Sequence, residues 1–148
     1  MDYAEYLHSP DIAPEIAKEF GETEFNIPPQ SFLDLEGKIV AYTKNKSIVC
    51  LFPVYERQTN ATRNLQGGVM TAFLDDTIGP LAFFTAKRPV VTTGMDIHFI
   101  RGIPAGTTAI CTAKLISRSK TTMFFQAEAY TEKGKLAAIL NSHNIILF

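Results

Sequence analysis

The stretch from Gly67 to Ala86, which reads Gly-Gly-Val-Met-Thr-Ala-Phe-Leu-Asp-Asp-Thr-Ile-Gly-Pro-Leu-Ala-Phe-Phe-Thr-Ala, constrains the fold more than any other part of the chain. Wound as a helix, it puts apolar side chains on nearly every side, so it has no face to offer water. Such a helix has to be surrounded by the rest of the chain. Pro80 costs about 3 kcal/mol inside a regular helix, which predicts a kink or break near Gly79.

The flanking sequence supplies strands to surround it. Ile39 to Thr43 and Ser47 to Val54 sit either side of a polar Lys44-Asn45-Lys46 turn and read as a hairpin. Four further strand-like runs follow the helix: Val90 to Ile100, Thr107 to Ser117, Thr121 to Thr131 and Lys135 to Leu147. In the first, Val91, Thr93, Met95, Ile97 and Phe99 are expected on one side. In the third, Met123, Phe125, Ala127 and Ala129 oppose Gln126 and Glu128, the period of a half-buried strand. Short connections make the sheet antiparallel, and such a sheet can wrap one helix. The expected class is α+β, a single domain over residues 1–148 with residues 1–30 as a helical N-terminal extension. In that extension Asp2 with Glu5 resembles a capping box, Ser9-Pro10 suits a second helix start, and Ser31 to Leu35 follows Pro28-Pro29 as one short turn.

Composition narrows the function classes. Hydrophobic residues make up 46% and charged residues 20% of the 148, enough for a real core. A net charge of −1 gives no pull toward nucleic acid or anionic lipid, and no basic, aromatic stripe offers a stack for bases. Met1 to Phe20 carries Asp2, Glu5, Asp11 and Glu15 and no apolar core of a secretory signal. No apolar run nears the ~20 residues of a membrane span. Cys50 and Cys111 sit in apolar strands and read as buried, reduced thiols, so a cytoplasmic address is expected.

Most familiar reaction motifs are absent: no Gly-x-Ser-x-Gly elbow, no phosphate-binding glycine loop with Lys-Ser/Thr. His8, His98 and His143 lack metal-ligand spacing, and His98 beside Asp96 on one strand face suits a surface or interface role. Ser117-Arg118-Ser119-Lys120 matches Ser-x-x-Lys in form alone, because it spans a strand end rather than a helix. What remains is Asn60, Gln66, Gly67, Gly68 and Asp75. Gly67 and Gly68 open the buried helix, where backbone N–H groups are unpaired and the dipole is positive. Asp75 lies about two turns on, a carboxylate in an apolar helix, and burying one without purpose is expensive. A packing turn and a satisfied polar core group would account for these residues equally well.

The stretch resembles the motif of hotdog-fold acyl-CoA thioesterases of the phenylacetic-acid-degradation, or PaaI-like, group. In that group Asn is followed by His or Gln before Gly-Gly, then by Asp or Glu seven residues past the second glycine. The likeness continues through Val91-Thr92-Thr93-Gly94-Met95-Asp96-Ile97-His98-Phe99, Ala105-Gly106, Arg118-Ser119-Lys120 and Glu132 to Ala138, and so covers the chain from about Ser31 onward. Two departures stand out: Arg63 occupies a position that is usually Gly, and Gln66 one that is often His. The resemblance implies a hotdog fold and thioester hydrolysis, with no cofactor beyond the CoA of the substrate. It implies Asp75 as general base or nucleophile, the Gly67 N–H on the thioester carbonyl, and Asn60 and Gln66 positioning carbonyl or water. Thr92 or Thr93 would approach Asp75 from the neighbouring subunit, since family sites straddle a dimer interface. Gly68 would lie against substrate, and Arg118 and Lys120 would meet the CoA phosphates, with Arg63 the next candidate. A homodimer or dimer of dimers follows, with no nucleic-acid or membrane partner. Asp76 points about 100° away round the helix. A noncatalytic acyl-CoA-binding protein on the same fold is the alternative, and a hotdog hydratase lacks its histidine near Asn60 to Asp76.

Overall fold

The computed structural model describes residues 2–148. Three α-helices, α1 (Ala13–Phe20), α2 (Gln30–Asp34) and α3 (Gly67–Ala86), accompany six strands. The strands are β1 (Lys38–Thr43), β2 (Ser47–Pro53), β3 (Val90–Phe99), β4 (Thr108–Arg118), β5 (Thr122–Tyr130) and β6 (Leu136–Ile146). All pair antiparallel in one sheet of order β1-β2-β4-β5-β6-β3. The sheet curls round α3, which packs against β2, β3, β4, β5 and β6. Phe73, Leu74, Ile78 and Leu81 of the helix are fully buried, and the Phe73 ring stacks on Phe52 of β2 with centroids 4.6 Å apart. No helix among the described residues is long and apolar enough to cross a membrane.

The expected break at Gly79 does not occur: α3 runs unbroken through Pro80. A proline clashes with the Cβ of a helical residue before it, and Gly79 has none. The remaining cost, one missing N–H at Pro80, is spread over a helix held on many sides by the sheet.

The N-terminal section departs from expectation in detail. Tyr3–His8 is a 3₁₀ helix, capped by Asp2 accepting from the Ala4 N–H at 3.0 Å, without a reciprocal contact from Glu5. Its Tyr3, Tyr6 and Leu7 cover Val40, Val49, Leu51 and Ile110 on the outer face of the sheet. The next helix starts at Ala13, not at Ser9-Pro10. There Asp11 accepts from both the Ala13 and the Ile39 N–H groups, tying α1 to β1.

Cys50 and Cys111 face one another across β2 and β4, fully buried as free thiols. Burial raises both, Cys111 to about 12, which leaves them unreactive.

One irregularity positions the site. In β3, Thr92 pairs with Asn144 of β6, but the next pairing is Gly94 with His143, so Thr93 is an extra, bulged residue. The expected single file of Val91, Thr93, Met95, Ile97 and Phe99 is therefore broken. Cross-strand partners share a face, and Thr92, Met95, Ile97 and Phe99 share theirs with the buried Asn144, Ser142, Leu140 and Ala138. A bulge shifts the phase of a strand by one residue. This one turns Thr92 toward α3.

Candidate active site

At the start of α3, Gln66 is the N-cap, and its Oε1 accepts from the Val69 N–H at 3.0 Å. Its backbone carbonyl takes the Met70 N–H. The N–H groups of Gly67 and Gly68 find no acceptor among the described residues. These are the orphan donors of a helix N-terminus, at its positive end. The ring of Phe99 covers this turn so closely that a Cβ on Gly67 would lie 3.1 Å from it.

The loop before the helix is held by Asn60. Its Oδ1 accepts from the backbone N–H groups of Thr62 and Asn64 and from the Thr62 hydroxyl, leaving its Nδ2 as the donor it can offer a ligand. Arg63 turns this loop with φ of +61°. That is the left-handed conformation glycine adopts most readily, so Arg63 reproduces the turn that the usual glycine would make. Its guanidinium reaches the exposed Glu56 at 2.9 Å. Asn60, Asn64, Gly67, Met70, Phe99 and Arg101 line a cleft of about 450 Å³.

Asp75 lies eight residues beyond Gly67, about 12 Å along the helix axis. The Thr92 hydroxyl donates to its Oδ1 at 2.9 Å. This partner belongs to the same chain, not to a neighbouring subunit as the family resemblance implied. Thr93 is directed elsewhere: its hydroxyl donates to the His143 carbonyl across the bulge. Asp76 faces α2, accepting from the Ser31 hydroxyl at 2.9 Å. Burial pushes the Asp76 carboxyl up, the Ser31 hydrogen bond opposes the rise, and the Asp75 charge adds to it.

The basic residues at the β4–β5 turn stand apart. Arg118 donates to the Thr85 carbonyl at 3.2 Å, in the last turn of α3, and Lys120 is exposed. Arg101 was missed in the sequence, where nothing but its place just after β3 marks it. Two further residues, Asn144 and Ser142, are buried polar groups on β6 next to Thr92. Their signal was available: Ala138, Leu140, Ser142, Asn144 and Ile146 follow one period-2 file, and two of them are polar.

The site has two halves: donors gathered at the helix start, and a carboxylate held by a hydroxyl two turns away. A family model described as the thioesterase superfamily matches residues 64–138, which span both halves. The chain belongs to the thioesterase superfamily. Acyl-coenzyme A thioesterase 13 from Homo sapiens and from Pongo abelii are each 32% identical to it over 94 residues, 62% of this chain. That match spans 66% of those relatives' length, just under two thirds. Among solved structures, the E. coli PaaI protein from the phenylacetic acid degradation operon superposes with a TM-score of 0.76 at 18% identity, covering 80% of this chain and 85% of that one. A phenylacetic acid degradation-related protein from Ralstonia eutropha JMP134 gives 0.76 at 23% identity, covering 88% and 98%. These likenesses identify the sheet round α3 as a hotdog fold.

Proposed function

We propose that this chain hydrolyses acyl-CoA thioesters at a site completed by a second copy of itself. The observation that carries the reading is the separation of the two halves. An oxyanion donor and a base must each come within about 3 Å of the reacting group. Gly67 and Asp75 of one chain, about 12 Å apart along a rigid helix, cannot do so together. Two copies can.

The geometry of β3 supports this pairing. Thr92 meets Asp75, while Phe99 lies over Gly67, so β3 runs antiparallel alongside α3. Continuing the sheet through β3 about a two-fold axis sets the Thr92 end of one strand beside the Phe99 end of the other. In such a dimer Asp75 would come near Gly67 of the partner subunit. β3 forms one edge of the sheet, is ten residues long and exposes Met95 at 43% and Phe99 at 53%. An open, apolar edge of this length calls for cover.

In the reaction, Asp75 takes a proton from a water as its oxygen attacks the thioester carbonyl carbon. The partner subunit's Gly67 N–H holds the oxyanion, a donor typically worth about 3–4 kcal/mol. The C–S bond breaks as the carbonyl re-forms. A thiol with an ordinary pKa near 8.5 departs as thiolate, so the often-present His can be Gln66 without losing a needed acid. Direct attack by Asp75 through an anhydride uses the same contacts. The amide nitrogens of Asn60 and Gln66 orient the carbonyl.

The test is thiol release from a panel of acyl-CoAs, from short-chain and aromatic to long-chain. Turnover of at least one, lost in Asp75→Asn, supports the reading. Binding without turnover on any thioester would make the protein a noncatalytic acyl-CoA binder.

A further inference from the structure

The Thr92 hydroxyl has one hydrogen and two acceptors close by: Asp75 Oδ1 at 2.9 Å and Asn144 Oδ1 at 3.1 Å. Asn144 is 3% exposed and is Thr92's partner across β3 and β6. Its Nδ2 donates to Ser142 Oγ at 2.8 Å and to the Met123 carbonyl at 3.4 Å, and Ser142 is 1% exposed. A file of polar groups thus runs from the core to the carboxylate: Ser142, Asn144, Thr92, Asp75. Nothing in the packing requires two polar side chains at these inward positions of β6, where the neighbours are Leu140 and Ile146. Burying them costs free energy that apolar side chains would not.

We propose that Asn144 is a positioning residue that acts on Asp75 through Thr92, a role that rests on Asp75 being the working carboxylate. A primary amide can present either end to a neighbour by a half-turn that leaves its heavy atoms nearly in place. With the amide oxygen toward Thr92, the Thr92 hydrogen is drawn to Asn144, and a protonated Asp75 can donate to the Thr92 oxygen. With the amide nitrogen toward Thr92, that nitrogen donates to Thr92, Ser142 donates to the amide oxygen, the long 3.4 Å contact to the Met123 carbonyl is given up, and the Thr92 hydrogen is left for ionised Asp75. Each protonation state of Asp75 therefore has one arrangement in which all three short contacts carry a hydrogen. The file lets Thr92 donate to Asp75 before it takes a proton from water and accept from it afterwards, with the carboxylate held in place throughout. No proton leaves the site along this path.

A kinetic double-mutant cycle between Asn144 and Thr92 tests the assignment, using an acyl-CoA that the wild type turns over. Asn144→Leu, which matches the amide in branching and heavy-atom count, is expected to lower kcat about tenfold with KM within about twofold, since the lost hydrogen bond serves the carboxylate rather than substrate binding. Thr92→Val should do the same. In the Thr92→Val background, Asn144→Leu should change kcat no further, because its effect passes through the missing hydroxyl. Ser142→Ala, a smaller change that stands in if Asn144→Leu fails to fold, is expected to cost about threefold in kcat, again only when Thr92 is present. Losses that multiply in the double variants, or that fall on KM, would overturn the proposal and leave Asn144 as packing. Full activity in Asn144→Leu and Ser142→Ala, with Asp75→Asn dead, would overturn it while sparing the catalytic carboxylate. Full activity in Asp75→Asn would overturn both.

Discussion

Thr92 on the edge strand meets Asp75 on the central helix at 2.9 Å, and the bulged residue Thr93 next to it resets the strand's phase. The carboxylate thus has a fixed hydroxyl partner within its own chain, while its proposed oxyanion donor comes from another. Side-chain chemistry separates the two adjacent threonines. Thr92→Val should lower kcat about tenfold, and Thr92→Ser should restore most of it. Thr93→Val should stay within about twofold of wild type, because its hydroxyl serves only the His143 carbonyl. Steady-state kinetics on the three variants decide between them.

Asp76 offers a pH test. Burial holds its carboxyl above the ordinary range, so the folded state keeps a proton that the unfolded state has released. The group's contribution is neutral below the unfolded pKa, where both states are protonated. It becomes unfavourable as pH rises from the unfolded pKa toward the folded one, and the penalty is constant above that. Asp76→Asn keeps the acceptor for Ser31 and removes the charge. Its melting temperature should exceed that of wild type at pH 7, with the gain vanishing in acid, and turnover should be little changed. A gain that persists at pH 3 would point to a cause other than titration.

Arg63 stands at φ +61°, where a β-branched side chain is strained. Arg63→Val should destabilise by about 1–3 kcal/mol. Arg63→Gly should stay within about 1 kcal/mol of wild type, since relief of strain offsets both chain entropy and the loss of an exposed ion pair with Glu56. Urea midpoints at constant slope provide the measurement.

Much of this architecture is written plainly in the sequence. Residues 67–86 are apolar all round, and a helix of that kind forces a sheet to wrap it. Strand limits fell within a residue or two because polar or glycine-containing turns separate the apolar runs. The phase of β3 was hidden, because Gly94 after the bulge has no side chain to betray a shift. Asp2 does cap the first segment, which is 3₁₀ because capping residues serve such turns as well as α-helices, whereas Ser9-Pro10 misled, since the next helix starts at Ala13. The Asn60, Gln66, Gly67, Gly68 and Asp75 motif was readable from spacing and family likeness. The route by which Asn144 reaches Asp75 depends on cross-strand register, which no local pattern encodes.

Lys120 is the cleaner probe of CoA phosphate binding, because Arg118 is already engaged with the Thr85 carbonyl. Lys120→Ala should raise KM for acyl-CoA more than it lowers kcat, and added salt should blunt the difference. Unchanged KM at low and high salt would direct attention to Arg101, in the cleft beside Gly67.

The shared site is tested most directly by mixing two inactive variants. Gly67→Pro removes the proposed donor N–H at the first helical position, where proline's backbone geometry fits, and the exposed Phe99 ring, 3.1 Å from a Cβ there, shifts by a few tenths of an ångström to admit it. Asp75→Asn removes the base and keeps the shape. Each alone should lose at least about 10²-fold in kcat. Unfolded and refolded together in equal amounts, half the dimers should be hybrids, each with one site combining an intact Gly67 and an intact Asp75. Thiol release from acyl-CoA should then recover to about a quarter of the wild-type rate. A mixture no more active than its two components, with hybrid dimers demonstrated by differential tagging, would contradict a site built from two chains.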